Sequence, residues 1–94
     1  MTQSVVFAIV NPAWDDMVRI GATDNLDKHL KEMQGLSPLA DYAVGFSLPS
    51  ENAIEVAQQA QMILADRRIS LEGDWFRCTV DDAKEAITRA SNSV

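Results

Sequence analysis

His29 is the sole histidine of this 94-residue chain, in the stretch Asp27-Lys28-His29-Leu30-Lys31-Glu32-Met33. An imidazole there can serve as a general base or as a contact to a phosphate oxygen; the plainer reading is an exposed helix residue between two lysines. Basic residues offer a second chemistry. Arg67, Arg68 and Arg77 can form one small cationic patch, and Arg19, Lys28 and Lys31 another, suited to phosphate oxygens. Equally, they are solvated charges paired with nearby acids. The carboxylate pairs Asp15-Asp16, Asp24 with Asp27, and Asp81-Asp82 have the look of metal sites or of a row that imitates DNA phosphates, although turns and helix N-termini use the same pairs structurally. Trp14, in a loop, is a stacking platform or partner anchor, or else a lid over the edge of the core. Cys78 has no second cysteine, which excludes an intramolecular disulfide and a cysteine-based zinc site; beside Trp75-Phe76 it reads as a small buried hydrophobe.

Composition limits what those groups can be asked to do. Fourteen acidic residues stand against eight lysines and arginines, a formal net charge of −6, so the mean field repels a polyanion and any contact to nucleic acid must come from a local cluster. A hydrophobic fraction of 47% supports one modest core and argues against disorder. No basic residue precedes the apolar run Val5 to Val10 and no run approaches a membrane span, so a cytoplasmic protein with no membrane partner is expected.

The elements that must position these groups follow from pattern. Val5-Val6-Phe7-Ala8-Ile9-Val10 is a short β-branched run closed by Asn11-Pro12, the composition of a buried strand; Met17-Val18-Arg19-Ile20 resumes it up to Gly21, giving a hairpin. Asp24 and Asp27 precede an apolar stripe of Leu26, Leu30 and Met33 at helical spacing, stopped by Gly35 and Pro38. Tyr42, Val44, Phe46 and Leu48 alternate with Ala43, Gly45 and Ser47, a strand reaching Pro49. Ser50 caps a second helix to about Arg68, with Ala53, Val56, Ala57, Ala60, Ile63 and Leu64 facing inward. After Gly73, Trp75-Phe76 is a short extended piece, and Thr79 with Asp82 starts a third helix bearing Ala83, Ala86, Ile87 and Ala90. The expected fold is a single α+β domain over 1–94, with its core at about 4–90 and a small antiparallel three-stranded sheet flanked by three helices in the order β-β-α-β-α-α.

An apolar strand ending in Asn11-Pro12, a second closing as Val18-Arg19-Ile20-Gly21-Ala22-Thr23, a helix, and a late Gly73-Asp74-Trp75-Phe76 resemble the GIY-YIG nuclease superfamily, in particular its phage-type branch, in which the second signature reads Lys-Ile-Gly. The resemblance runs from about Val5 to Ile87. It implies metal-dependent hydrolysis of DNA phosphodiesters, with departures at each working position. The first-motif tyrosine falls on Phe7, which has lost the hydroxyl. The second-motif aromatic falls on Arg19, the catalytic arginine on His29, and the histidine of the second helix on Gln61. The metal-holding glutamate falls on Ala57, or on Gln58 if the register shifts by one. Gly21, Thr23, Arg67, Trp75 and Phe76 are retained, with Asp74 in place of a glutamate.

Such chemistry needs a nucleophile-orienting group, charge stabilisation and a metal together. The resemblance therefore implies the fold with a noncatalytic function: a module binding nucleic acid or a nucleic-acid-processing protein, in a phage or mobile-element setting, through Trp14, Arg19, Lys28, His29, Lys31 and Arg67. No cofactor is expected on this reading. Two alternatives stay open: a divergent Mg²⁺-dependent DNA endonuclease using His29, and an acidic protein-interaction or inhibitor protein, for which a homodimer is one form.

Overall fold

The unbroken apolar character of the first strand has a direct structural cause: both of its faces are covered. The computed structural model describes residues 4–11, 16–36, 42–69 and 74–93. In it β1 (Val5–Val10) and β2 (Met17–Thr23) form an antiparallel pair, followed by α1 (Leu26–Leu36), β3 (Ala43–Pro49), α2 (Ala53–Ile63), a 3₁₀ turn at Ala65–Arg67, β4 (Trp75–Arg77) and α3 (Val80–Ser93). Val6, Ala8, Val18, Ile20 and Phe76 face α2 and α3 in the larger core cluster; Phe7 and Ile9 point the other way, to Met33, Leu30 and Leu26 of α1. Successive residues of a strand alternate faces, so a strand sandwiched between helices has no polar side to show.

The strand order is β3-β1-β2-β4, all antiparallel. The α+β class with three helices holds, but the sheet has four strands rather than the expected three. The short piece at Trp75-Phe76 pairs with β2 through Val18↔Phe76 and Arg19↔Trp75. A three-residue strand carries too little alternation to announce itself in sequence; its edge position is secured by non-local bonds, Ile20 N–H to the Asp74 carbonyl at 3.1 Å and Ile69 N–H to the Trp75 carbonyl at 3.1 Å.

Four local expectations also change. Tyr42, Val44, Phe46 and Leu48 do not share a face: the pairing of β1 with β3 shifts between Ala8↔Phe46 and Ile9↔Val44, so Gly45 is an extra residue that flips the alternation. Tyr42 joins the α1 side, and Phe46 and Leu48 the α2/α3 side. A Cβ at Gly45 would come within 3.0 Å of Val80, which fits glycine at the bulge. Gly35 lies inside α1 instead of ending it, and the helix is capped by Asn25, whose Oδ1 accepts the Lys28 N–H at 3.1 Å. Ile63, read as inward, is 42% exposed; Leu64, at the C-cap of α2, is the buried residue there. Finally, α2 ends at Ile63, short of Arg68, because the chain tightens into the 3₁₀ turn. Pro12, Trp14, Asp15, Pro38 and Gly73 lie outside the described residues.

The start of α3 is as expected. Thr79 Oγ1 accepts the Asp82 N–H at 3.1 Å, Asp82 Oδ2 accepts the Thr79 N–H at 3.2 Å, and Arg67 reaches the same oxygen at 2.9 Å. The Thr79 hydrogen bonds, and then Arg67, hold the Asp82 carboxyl below its ordinary value, whereas burial, followed by the Asp82 charge, pushes the Cys78 thiol up. A carboxylate lowered in the folded state stabilises the fold above the unfolded value of about 3.9 and loses that contribution as the pH falls through the lowered value. Thermal melts taken from about pH 6 down to about pH 3 should therefore drop more steeply for the natural protein than for Asp82→Asn. Parallel slopes would contradict the assignment.

Candidate functional site

The α1 face of the sheet is built from two cross-strand rows. In the first, Val44, Ile9, Arg19 and Trp75 stand in register across all four strands; in the second, Ser47, Phe7 and Gly21 stand in register across β3, β1 and β2. Gly21 has a steric role: a Cβ there would lie 2.8 Å from Phe7 Cζ, so the Phe7 ring occupies the space a side chain would need. The other flank of that ring meets His29, centroid to centroid at 5.0 Å. Tyr42 closes the far side against Trp75 at 6.1 Å. Arg19 thus stands between Ile9 and Trp75, next to the row that holds Phe7, the ring that His29 packs against.

Two polar atoms on this face are enclosed and, among the described residues, without a hydrogen-bond partner: Arg19 Nε and His29 Nε2. Buried polar atoms left unpaired cost about 1–3 kcal/mol each, so two of them on one face mark it as the candidate site. Both groups suit an anion: the guanidinium carries permanent charge and a fork of donors, and the imidazole can donate or accept.

The remaining expected contacts do not all converge here. Lys28 and Lys31 are exposed on α1, where they border a shallow hollow of about 520 Å³ together with Asn25, Asp27 and Glu32, a lining of mixed charge. His29 is turned from them toward the sheet, because 100° per residue separates neighbours on a helix. Arg67 is far from this face in the fold, tied to Asp82 at the start of α3. Gln61, at the histidine position of the resemblance, is also committed: its Nε2 donates to the Ile20 carbonyl at 2.7 Å and fastens α2 to β2. Trp75 and Tyr42, read from sequence only as parts of extended segments, join the site because their partners come from strands far away in the chain.

The residues at the carboxylate position do not suit a divalent ion. Ala57 is 4% exposed, packed in the larger core cluster, and offers no donor atom; Gln58 is an exposed amide on the solvent side of α2. Among the described residues no group of three or more histidine, cysteine or acidic side chains is placed to hold a metal. Arg19 and His29 are groups of the kind that bind and orient a phosphate; of the residues described on this face, Ser47 and Tyr42 carry hydroxyls. Among the described residues, no helix is long and apolar enough to cross a membrane.

Comparison with family models matches residues 5–91 to the T5orf172 domain, a domain associated with phage and nuclease-like proteins. No curated protein and no solved structure matches.

Proposed function

This chain belongs to the T5orf172 domain family, and we propose on that basis that it is a noncatalytic, GIY-YIG-like module that contacts nucleic acid through the α1 face of its sheet. The observation that carries this reading is that Arg19 and His29 share one face of the sheet, each with a nitrogen that has no partner among the described residues, with the His29 ring against Phe7. These are the positions at which the resemblance puts the second-motif aromatic, the catalytic arginine and the first-motif tyrosine. What survives there is cation and ring; what is gone is hydroxyl and carboxylate. A site so composed holds a phosphodiester without cutting it. Lys28 and Lys31, on the outer surface of α1, extend the contact along the backbone of the bound strand.

An acidic chain whose cations toward a bound strand are Arg19, Lys28 and Lys31, interspersed with Asp27 and Glu32, should bind weakly and with strong salt dependence. The test incubates the purified protein with labelled single- and double-stranded DNA, with Mg²⁺ or Mn²⁺ and then with chelator, at low and at moderate salt. Retention at low salt that fades at moderate salt, with no cleavage in any lane, is the expected result. Metal-dependent cutting that disappears in His29→Ala would make the protein an unconventional nuclease. Absence of retention even at low salt would turn the search toward a protein that handles nucleic acid.

A further inference from the structure

Three of the chain's eight lysines and arginines come together at a place that the α1 face does not use. Arg67, Arg68 and Arg77, with Asp66 and Ile69, line a hollow of about 360 Å³. The path of the chain explains the convergence. After α2 the 3₁₀ turn brings the backbone round, and the next two residues run along the outer edge of β4: Arg68 bridges antiparallel to Phe76, and the Ile69 N–H donates to the Trp75 carbonyl at 3.1 Å. Arg67 and Arg68 are thereby set beside Arg77, the last residue of β4. The strand itself stands between this hollow and Arg19 on β2.

We propose that this hollow is a phosphate-binding site, separate from the α1 face. Two of its three guanidinium groups are already held in place by the fold. Arg67 Nη1 pairs with Asp82 Oδ2 at 2.9 Å; Arg68 Nη2 pairs with Asp74 Oδ1 at 3.6 Å, and its guanidinium carbon lies 5.5 Å from the centre of the Phe76 ring. A guanidinium presents five N–H donors in a planar fork, so a carboxylate on one nitrogen leaves donors for a second oxyanion, and a side chain fixed beforehand loses less freedom when the ligand arrives. Arg77 forms no ion pair among the described residues and brings its whole charge to a ligand. Against the three arginines stand Asp74 and Asp82, each engaged with one of them, and Asp66, the carboxylate that lines the hollow. The local sum is therefore near zero, and binding depends on directed hydrogen bonds more than on the field. That favours phosphate, whose several oxygens can take forks from different sides, over chloride, which has no such geometry, and sets the affinity for a single phosphate at about 1 mM.

Titration of the full chain with inorganic phosphate at constant ionic strength, followed by NMR of the arginine side-chain N–H groups, should move the Arg67, Arg68 and Arg77 signals together, while chloride over the same range leaves them in place. Arg77→Gln should weaken phosphate binding at least about tenfold without lowering the melting temperature, since the residue is exposed. Asp66→Asn should strengthen it by about threefold, because it removes a carboxylate from the lining. Arg19→Gln should leave the phosphate titration unchanged. Retention of labelled single-stranded DNA then tells the source of the phosphate: a loss in Arg77→Gln puts a backbone phosphate of the bound strand in the hollow, and unchanged retention assigns the hollow to free phosphate or a phosphomonoester. Absence of any shift with phosphate, equal shifts with chloride, or phosphate binding that survives Arg77→Gln would each overturn the proposal. A protein that retains no DNA can still pass the phosphate test, so this site and the α1 face fail separately.

Discussion

Phe7→Ala is expected to lower the unfolding free energy by about 3–5 kcal/mol, a large share of the 5–15 kcal/mol that holds a domain of this kind together. Phe7 is 2% exposed, sits on the strand flanked by β2 and β3, and is the largest buried member of the cluster that docks α1; the other buried members are Ile9 and Met33. Neither can swing into the space the ring leaves, because Ile9 belongs to the neighbouring row and Met33 to the helix above. The cavity therefore persists, and His29 loses the surface it rests on. Urea unfolding followed by circular dichroism reads the loss as a shift in midpoint. Gly21 supplies a check on the geometry. Gly21→Ala alone should destabilise the domain by about 1–3 kcal/mol, since its Cβ would press on the Phe7 ring, and the cost should shrink when Phe7→Ala has already emptied the space. A loss below about 1 kcal/mol for Phe7→Ala, or additive effects of the two changes, would mean that α1 is held by something other than this ring.

Arg19→Glu should reduce retention of DNA at low salt by about 30- to 100-fold and flatten its dependence on salt by about one counterion. Arg19 stands at the centre of the row that crosses all four strands, between Ile9 and Trp75, and its Nε has no partner within the described protein. Reversing its charge removes a phosphate contact and replaces it with repulsion, while breaking no ion pair among the described residues. Arg89→Glu changes the net charge by the same amount on the exposed side of α3, beyond the opposite face of the sheet. It should leave retention within about threefold, because screening confines the effect of a surface charge to its surroundings. Equal losses from the two changes would show that net charge alone, and not the α1 face, governs binding. Measured by titration of labelled single-stranded DNA at several salt concentrations, the two slopes give the answer directly.

Much of the scaffold was legible because it is decided within a few residues. The Thr79–Asp82 box is a local hydrogen-bond pattern and sits where its spacing puts it. The continuous apolar run of β1 announces a strand covered on both faces, and the buried Ala53, Val56, Ala57 and Ala60 of α2 follow the helical repeat. Local reasoning fails where one residue outside the pattern redirects the rest. The bulge at Gly45 moves Tyr42 and Val44 to the face opposite Phe46 and Leu48, although the alternation of types runs unbroken through it. Three residues of β4 become a strand because β2 offers them an open edge.

For the candidate site the division is sharper. The amino-acid sequence by itself determined which chemistry is possible: one imidazole, an arginine on the second strand, an alanine or glutamine at the carboxylate position, and a charge of −6. It also determined the strands and helices that carry those groups, since hydrophobic period and capping act over one or two turns of chain. Tertiary structure alone decided which of the groups meet. His29 comes to the Phe7 ring while Lys28 and Lys31 turn to solvent, Arg67 is drawn to Asp82, Gln61 to the Ile20 carbonyl, and Trp75 to the side of Arg19. Those choices rest on strand register, a bulge and helix rotation, which couple residues tens of positions apart and leave no periodic trace in the chain between them.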